Sequence, residues 1–525
     1  MTKEEVWELL EPIKDKIDDI YMNSDNEVVI SFKPHNLAPI SIYIFRDLDC
    51  ELATVVCTDE REKDDTFKIK YVYSYHKKNI FFVLQIEVKE RFVSLSNNIP
   101  ALNWYEREIH DMFGLVPLNH PDLRPLMKYP ENFPQDEYPL RKDYPWDKRP
   151  KFMKYGEYEY KKVKGEGVFN ILVGPIHAGI IEPGHFRFHL AGEPILQLEI
   201  RHFWKHRGIE KLAEGKTPEE VLQYTDKISG DHSFAHTLAY VQAIEKLSNT
   251  EIPERAKHLR VIFAELERIM CNLNDFAWLF QDVGYTFGAQ GVFILKEDLM
   301  RLNKALSGSR FNKGVLTLGG VNIDLDNEKI AMLKHKLNEI EEKYKEYANI
   351  LHNNASILER LETTGRIKYE TVKDLSAVGY TARASGLSSD IRKEHPYLVY
   401  DRLKFDSIVL KEGDVYARLR VRLSDLENSI SIVRQCLANL PDGEIKTDLG
   451  EIKKNSWTLG YAEGQRGDII HYVQTDEEGK IFRWKVRDPS FHNWQTIQFA
   501  VLGNIIADFP LVNKSLNLSY AGNDL

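Results

Sequence analysis

The first part of the chain alternates apolar and polar residues. Between about residues 26 and 97, the runs EVVISF, ISIYIF, FKIKYVYSY and FFVLQIEV repeat with a period of two and are rich in Ile, Val, Phe and Tyr. This period is typical of strands that bury one face. The preceding segment, TKEEVWELLEPIKDKI, predicts an opening helix. The pattern therefore predicts a small α+β domain over residues 1–116.

Farther along, the pattern changes to that of amphipathic helices. One long helix is predicted to start near Pro253, a second lies near 327–361 and a third near 414–438. Long amphipathic helices pack together as a bundle. We therefore expect an α+β N-terminal domain followed by a mainly α large domain, residues 166–525, with a long-helix bundle as its core.

A proline-rich segment separates these two parts. Eight prolines occur between residues 117 and 150, too many for a regular helix or a central strand, and a Lys-rich stretch follows them. Residues 117–165 are therefore interpreted as an extended arm and linker. We expect the arm to lie on a neighbouring subunit.

The composition excludes several classes of protein. The 525 residues carry a net charge of −10, which argues against a nucleic-acid partner or an anionic membrane surface. The N-terminus has no secretory signal pattern, and the longest apolar run, at 499–512, is too interrupted to span a bilayer. Any membrane association is therefore expected to come through partner subunits. The four cysteines form no Cys-x-x-Cys pair and are interpreted as buried thiols.

Motifs in both parts of the chain resemble one group of proteins. NWYEREIHDMFG (103–114), HPDLRPLM (120–127) and YPLRKDYP (138–145) resemble the small peripheral subunit of respiratory complex I. GPIHAGIIEPGHFRF (174–188) and ARASGLSSDIRKEHPY (382–397) resemble the large subunit shared by complex I and the energy-converting nickel–iron hydrogenases. A chain that fuses both subunits resembles the large subunit of formate hydrogenlyase-type complexes.

The resemblance also exposes a loss. Hydrogenases of this family hold a nickel–iron centre with two Cys-x-x-Cys pairs, and this chain has Ser229, His232, Ser519 and Gly522 at the four cysteine positions. A soft nickel–iron centre needs thiolate ligands, so no such centre and no other cofactor of this chain's own is expected. The four residues either fill the former metal space or line a cavity for a small acceptor such as a quinone headgroup. Both interpretations stay open.

A loop near the expected site carries candidate proton-transfer groups. The resemblance matches Glu182 to a glutamate that passes protons away from the metal in hydrogenases. Its apolar neighbours in sequence would desolvate the carboxylate and raise its pKa. His177 and His185 flank the loop, where complex I supplies a histidine to the quinone. With Asp231 and His232 they form the candidate proton and acceptor cavity. The alternative is a solvated carboxylate beside structural histidines.

Arginines are the candidates for contact with a cofactor. Arg207 matches an arginine close to the terminal iron–sulfur cluster of the neighbouring subunit, where its charge would stabilise the reduced cluster. The alternative for Arg207 is a salt bridge to Glu210. Arg466 matches an arginine that contacts the diatomic ligands of the iron in hydrogenases, and Arg383 keeps its family identity.

The resemblance implies a peripheral-arm subunit of a membrane-bound, ion-translocating oxidoreductase at the cytoplasmic face of the membrane. The implied partners are a cluster-bearing small subunit, a ferredoxin-like iron–sulfur subunit and integral-membrane subunits. The sequence shows no Gly-rich nucleotide loop, so direct NADH binding is not expected. The second hypothesis is a redox-inert subunit that only relays conformational change. Because the chain stops at Leu525, no tail that is removed after metal insertion is expected.

Overall fold

The computed structural model describes residues 2–151, 153–176 and 182–525. Within these ranges, five strands form the N-terminal sheet: β1 (Asp19–Ser24), β2 (Glu27–Ser31), β3 (Glu51–Asp59), β4 (Phe67–Tyr75) and β5 (Ile80–Val88). Their order in the sheet is β1-β2-β5-β4-β3. β2 and β5 are parallel, and the other neighbours are antiparallel. Three of the four alternating runs, EVVISF, FKIKYVYSY and FFVLQIEV, therefore lie in strands of this sheet, namely β2, β4 and β5.

The helices of this part are α1 (Lys3–Leu10), α2 (Leu37–Ile42), α3 (Arg61–Asp64) and α4 (Leu102–Phe113). The opening helix is shorter than predicted. It is α-helical only to Leu10 and continues as a 3-10 helix over Glu11–Lys16. Pro12 explains the change, because proline has no N–H to donate to the preceding turn.

One predicted strand is wrong. ISIYIF, residues 40–45, lies in α2 and in the π-helical turn Tyr43–Asp47 that continues it. Ile40 and Ile44 are four residues apart, share one helix face and are fully buried. Their spacing fits both a strand and a helix, and packing of the helical face decided between them.

The remaining strands form small sheets. They are β6 (Arg91–Val93), β7 (Val116–Leu118), β8 (Val168–Val173), β9 (His185–Ala191), β10 (Ile195–Arg201), β11 (Leu316–Thr317), β12 (Gly320–Val321), β13 (Trp457–Gly464), β14 (Gly467–Thr475) and β15 (Ile481–Arg487). β8–β10 form an antiparallel sheet in the order β10-β9-β8. β13–β15 form an antiparallel meander, which the sequence analysis did not predict.

The rest of the large domain is mainly helical. Its helices are α5 (Ile209–Ala213), α6 (Pro218–Thr225), α7 (Ser233–Leu247), α8 (Glu254–Asp282), α9 (Thr286–Ser307), α10 (Asn327–His352), α11 (Ala355–Leu361), α12 (Tyr369–Asp374), α13 (Gly379–Arg383), α14 (Ile391–Glu394), α15 (Val415–Ala438), α16 (Pro489–Asn493), α17 (Ile497–Ala500), α18 (Phe509–Leu516) and α19 (Tyr520–Asp524). α8 packs against α9, α15 and α18, which gives the predicted bundle. No helix within the described ranges is both long enough and apolar enough to cross a membrane.

Proline and polar capping residues mark where several helices begin. α8 starts directly after Pro253, and Asp414 caps α15 by accepting from the backbone N–H of Ala417. The helix predicted over 327–361 is two helices, because the Asn354 side chain accepts from Ser356 and Ile357 and starts α11 separately.

The N-terminal sheet is covered on both faces, so the prediction of strands that bury only one face is wrong. Val28 and Ile30 of β2 belong to a core with α1, whereas Val29 between them belongs to the core of α7 and α8. Glu27 is fully buried between the two parts and accepts from Thr458 Oγ1 at 2.7 Å and Leu459 N at 2.8 Å. The N-terminal domain and the large domain therefore contribute residues to one continuous hydrophobic core.

Part of the proline-rich arm packs on this chain itself, and the expectation that the arm lies on a neighbouring subunit stays a prediction. Its Tyr129 is buried and donates to the carbonyl oxygen of His202 at 2.6 Å. The Arg201 guanidinium of β10 lies over the rings of Tyr129 and Tyr158, 3.9 and 4.1 Å from their centroids. Lys161 N donates to Glu199 of the same strand at 2.9 Å. These contacts fasten the arm to β10.

We expect Leu126→Ala in the arm to destabilise the full chain by about 2–5 kcal/mol, because the side chain is 6% exposed and its removal leaves a cavity. Leu118→Ala, at a position that is 40% exposed, is the matched control and is expected to have little effect. Urea unfolding of both variants, without partner subunits, provides the measurement. Equal stability of the two variants would contradict the intramolecular packing.

Candidate functional site

A cavity of about 330 Å³ lies where the loop before α7, the turn between β13 and β14, and the segment from α18 to α19 meet. Its lining includes Glu182, Ser229, Asp231, Arg466, Lys514, Ser519 and Tyr520. The volume is at the lower end of the range for small-molecule sites.

The two serines at former cysteine positions touch each other. Ser229 Oγ lies 3.0 Å from Ser519 Oγ and donates to Asp231 Oδ1 at 2.8 Å. Ser519 Oγ also accepts from Gly522 N at 2.9 Å as the cap of α19. The resemblance thus correctly predicted that segments 290 residues apart in sequence meet here.

Asp231 and Arg466 form the main ion pair of the cavity. Arg466 Nη1 donates to Asp231 Oδ1 at 3.1 Å, and Nη2 donates to Oδ2, so the contact is bidentate. Burial alone would raise the pKa of Asp231, but the Arg466 charge and the hydrogen bonds hold it well below its usual range. Asp231 is therefore an ionised, structurally paired carboxylate at neutral pH.

His232 lies behind the cavity. Its ring is fully buried, and Nε2 accepts from the backbone N–H of Gln465 at 3.2 Å. Burial, helped by the Arg466 charge, lowers the pKa of His232 to about 3, so the ring is neutral at physiological pH. The sequence analysis grouped His232 with the cavity, but the residue does not line it.

Gly522 leaves room for a carboxylate that the sequence analysis did not identify. A Cβ placed at Gly522 would lie 2.4 Å from Asp488 Oδ2. That oxygen is hydrogen-bonded to His236 Nε2 at 3.0 Å. Burial would raise the pKa of Asp488, but the His236 hydrogen bond and nearby charges lower it to about 2. The sequence signal for Asp488 is its place before Pro489 in RDPS, which is typical of the residue that caps a helix. Asp488 caps α16, and this role suggests an ordered side chain.

Glu182 lies at the edge of the cavity and is 38% exposed. Oε2 accepts from the backbone N–H of Ala521 at 3.0 Å, and Oε1 lies 3.6 Å from Lys205 Nζ. The prediction that apolar neighbours desolvate the Glu182 carboxylate is therefore wrong. Polar groups and solvent surround the carboxylate.

Asp524 is a second carboxyl in the vicinity of Glu182. It is fully buried, and Oδ2 accepts from Lys205 N at 2.9 Å. Burial raises the pKa of Asp524 to about 7, and the Glu182 charge acts in the same direction. This carboxyl can therefore exchange a proton near neutral pH.

The histidines that flank the Glu182 loop are not in the cavity lining that the structure describes. His177 lies outside the described residues. His185 is buried in β9, where Nδ1 is hydrogen-bonded to the Gly174 carbonyl oxygen at 3.1 Å. Burial lowers the pKa of His185, so the ring is neutral at neutral pH.

Arg207 holds backbone near the cavity. Its guanidinium donates to the carbonyl oxygens of Lys227, Ile228 and Ala521 at 2.6, 2.8 and 3.0 Å. The alternative salt bridge to Glu210 is not formed, because Glu210 pairs with Arg483 at 2.7 Å.

Arg383 lies away from the cavity. It forms a buried, bidentate pair with Asp425 of α15, with distances of 2.8 and 2.6 Å. Arg268 of α8 lies 3.5 Å from the same carboxylate. The local role of Arg383 is therefore to join α13 to the helix bundle.

The side chains at the former cysteine positions do not fit a nickel–iron centre. Their donors are two hydroxyls and one buried imidazole, which are not the thiolates that such a centre requires. The serine hydroxyls bond to each other, and Asp488 fills the space beside Gly522. Within the described ranges, no group of three or more His, Cys, Asp or Glu side chains is placed to hold a metal ion.

Comparisons with known proteins agree with this architecture. Residues 30–150 match the family described as respiratory-chain NADH dehydrogenase, 30 Kd subunit, and residues 282–457 and 450–524 match the 49 Kd subunit family. The chain is 31% identical to formate hydrogenlyase subunit 5 of Escherichia coli (strain K12) over 507 residues, 95% of this chain and 89% of that protein. The chain belongs to the complex I and hydrogenase large-subunit family.

Further members of this family match parts of the chain. A subunit of the NADH-quinone oxidoreductase of Dehalococcoides mccartyi (strain ATCC BAA-2266 / KCTC 15142 / 195) is 34% identical over 353 residues, which cover 67% of this chain and 96% of that protein. A chain in the structure of the membrane-bound sulfane sulfur reductase (MBS), an archaeal respiratory membrane complex, matches with a TM-score of 0.65 and 26% identity. That match covers 69% of this chain and 99% of the other. The predicted fusion and fold class are confirmed.

Proposed function

We propose that this chain is a peripheral-arm subunit of a membrane-bound oxidoreductase and that its cavity receives an electron acceptor without nickel–iron chemistry. The observation that carries the proposal is the cavity itself. Two of the four former ligand positions, Ser229 and Ser519, line it, together with carboxylate and guanidinium groups. A polar cavity of this size would hold water or a small ligand.

The proposed partners follow from the family. A cluster-bearing small subunit would deliver electrons beside Arg207, a ferredoxin-like iron–sulfur subunit would supply them, and integral-membrane subunits would hold the chain at the cytoplasmic face. Several of the relatives are named as subunits of NADH-quinone oxidoreductase or formate hydrogenlyase, which supports an assembly of this kind. A quinone-like headgroup is one candidate acceptor.

Proton exchange would accompany acceptor reduction. Glu182 is at the edge of the cavity, and Asp524, whose burial raises its pKa to about 7, is close enough to respond to its charge. Both carboxyls contact Lys205. Glu182 lies near the Lys205 side-chain ammonium, and Asp524 accepts from the Lys205 backbone N–H. We propose that Glu182 and Asp524 pass protons between solvent and the cavity.

A redox-inert relay subunit is the second candidate. The direct contact between Ser229 and Ser519 favours it, because these groups satisfy one another and fill part of the former metal space. A relay subunit of this kind would not need a ligand in the adjacent cavity, so filling the cavity distinguishes the two proposals.

The test uses Gly230, which lines the cavity and whose added Cβ would meet no atom within 4 Å. Gly230→Leu adds a bulky side chain at the cavity lining and should lower acceptor reduction by the purified complex at least about tenfold, or ~1.4 kcal/mol in barrier. Gly230→Ala is the matched control and should retain activity. Reduction of a viologen dye by the same preparation checks that electrons still reach the complex. Unchanged acceptor reduction in assembled Gly230→Leu would favour the relay subunit.

A further inference from the structure

The cavity lining carries two donors, Lys514 and Tyr520, for which the described residues supply no hydrogen-bond acceptor. Lys514 of α18 contacts the face of the Trp278 ring, with Nζ 4.7 Å from the centroid. Among the described residues, no carboxylate lies within 4.0 Å of this ammonium group. Tyr520 is only 7% exposed, and no group among the described residues forms a hydrogen bond of normal geometry with its hydroxyl, although the Asn513 side chain lies nearby. A buried donor without a partner costs about 1–3 kcal/mol.

The other charges of the cavity are already paired. Arg466 is bound to Asp231, and Glu182 has Lys205. Of the carboxyls around Lys514, Asp275 accepts from Arg422 Nε at 2.9 Å and is therefore engaged elsewhere. Among the described residues that line the cavity, Lys514 is thus the charged side chain without a direct ion pair.

Asp282 is the remaining carboxyl that acts on Lys514. Burial raises the pKa of Asp282 to about 6, although the Lys514 charge opposes this shift. The Asp282 carboxyl is therefore mostly ionised at neutral pH, but among the described residues it forms no direct ion pair with the Lys514 ammonium. Burial in turn lowers the pKa of Lys514, against the opposing effect of Asp275 and Asp282.

We propose that the cavity binds a small anion, which the Lys514 ammonium and the Tyr520 hydroxyl hold together. The inference rests on the proposed acceptor site. It assigns a small mono- or dianion to that site in place of a neutral quinone headgroup. The volume of about 330 Å³ suits such a ligand with a few waters, each of which takes about 30 Å³. An anionic oxygen or sulfur would give both donors the acceptor that they lack, through charge-assisted hydrogen bonds.

Thiosulfate, a small dianion, is the probe for this site. Equilibrium dialysis of radiolabelled thiosulfate against the purified complex should give saturable binding at one site per chain. Lys514→Met should raise the dissociation constant at least about tenfold, and Tyr520→Phe about threefold or more. Lys514→Arg, which keeps the charge, should bind nearly as well as the wild type. Lys334→Met, at an exposed lysine of α10, is the matched control and should bind normally.

The outcomes separate this inference from the proposed function. Equal thiosulfate binding in the wild type and Lys514→Met, or no binding in either, would overturn the anion site. If the wild type and Lys514→Met then bind a neutral quinone analogue equally, the proposal that the cavity receives an electron acceptor would still stand. Conversely, binding that depends on Lys514 would support the anion site even if Gly230→Leu reduced acceptors normally, in which case the acceptor role alone would fail.

Discussion

Asp425→Ala is expected to lower the free energy of unfolding of the chain by about 3–5 kcal/mol, because it leaves a buried arginine without its counter-charge. Asp425 and Arg383 are both fully buried, and their two hydrogen bonds measure 2.8 and 2.6 Å. Arg268 would lose the same carboxylate. Urea unfolding of the full chain measures the effect.

Two comparisons show whether the loss comes from the unpaired charge. The double variant Arg383→Met with Asp425→Leu removes both partners and should recover part of the stability. Glu157→Ala removes an exposed ion pair with Lys154 and should change nothing measurable. A double variant that is less stable than Asp425→Ala would show that packing around the pair, and not its charge, provides the stability.

Glu182→Gln is expected to slow coupled turnover of the intact complex at least about tenfold, or ~1.4 kcal/mol in barrier, while assembly stays normal. Glutamine has nearly the same shape and can still accept from the Ala521 backbone N–H, but it cannot carry a proton. The substitution also removes a negative charge that raises the pKa of Asp524, so the Asp524 pKa should fall. Turnover and ion translocation in reconstituted vesicles provide the measurement.

The control is Glu193→Gln, at an exposed glutamate in the turn between β9 and β10. It should leave turnover unchanged. Wild-type turnover and ion translocation in an assembled Glu182→Gln complex would show that Glu182 is an inherited loop carboxylate without a proton-transfer role.

The sequence predicted those elements whose local pattern agrees with their final packing. β4 alternates apolar and polar residues over most of its length, and α8 and α15 have both the helical spacing and a residue that marks their start. ISIYIF failed because a short run of alternating isoleucines fits either a strand or a helix, and the buried face of α2 decided the outcome. The meander β13–β15 was not predicted from periodicity.

The site could be predicted only where the family resemblance gave matching positions. The resemblance correctly brought Ser229 and Ser519 together, although 290 residues separate them. It gave no signal for Asp488, Lys514 or Tyr520, because their roles depend on contacts between distant segments. The packing of Asp488 against Gly522, for example, becomes visible only once β15 and α19 are placed together.

The arm shows a limit of composition as a guide. Its prolines correctly excluded a regular helix, but they could not reveal what covers the segment. The contacts of Tyr129, Tyr158 and Lys161 with β10 show that this chain supplies much of that cover itself.

The nickel content of the purified complex tests the central claim most directly. Ser229, His232, Ser519 and Gly522 offer no thiolate, and Asp488 fills the space beside Gly522. Elemental analysis of the assembled complex should find less than about 0.1 nickel per chain. Iron measured in the same sample confirms that clusters are present. An activity assay of the same preparation should find no hydrogen evolution. About one nickel per chain would contradict the account and would require ligands other than those at the four former cysteine positions.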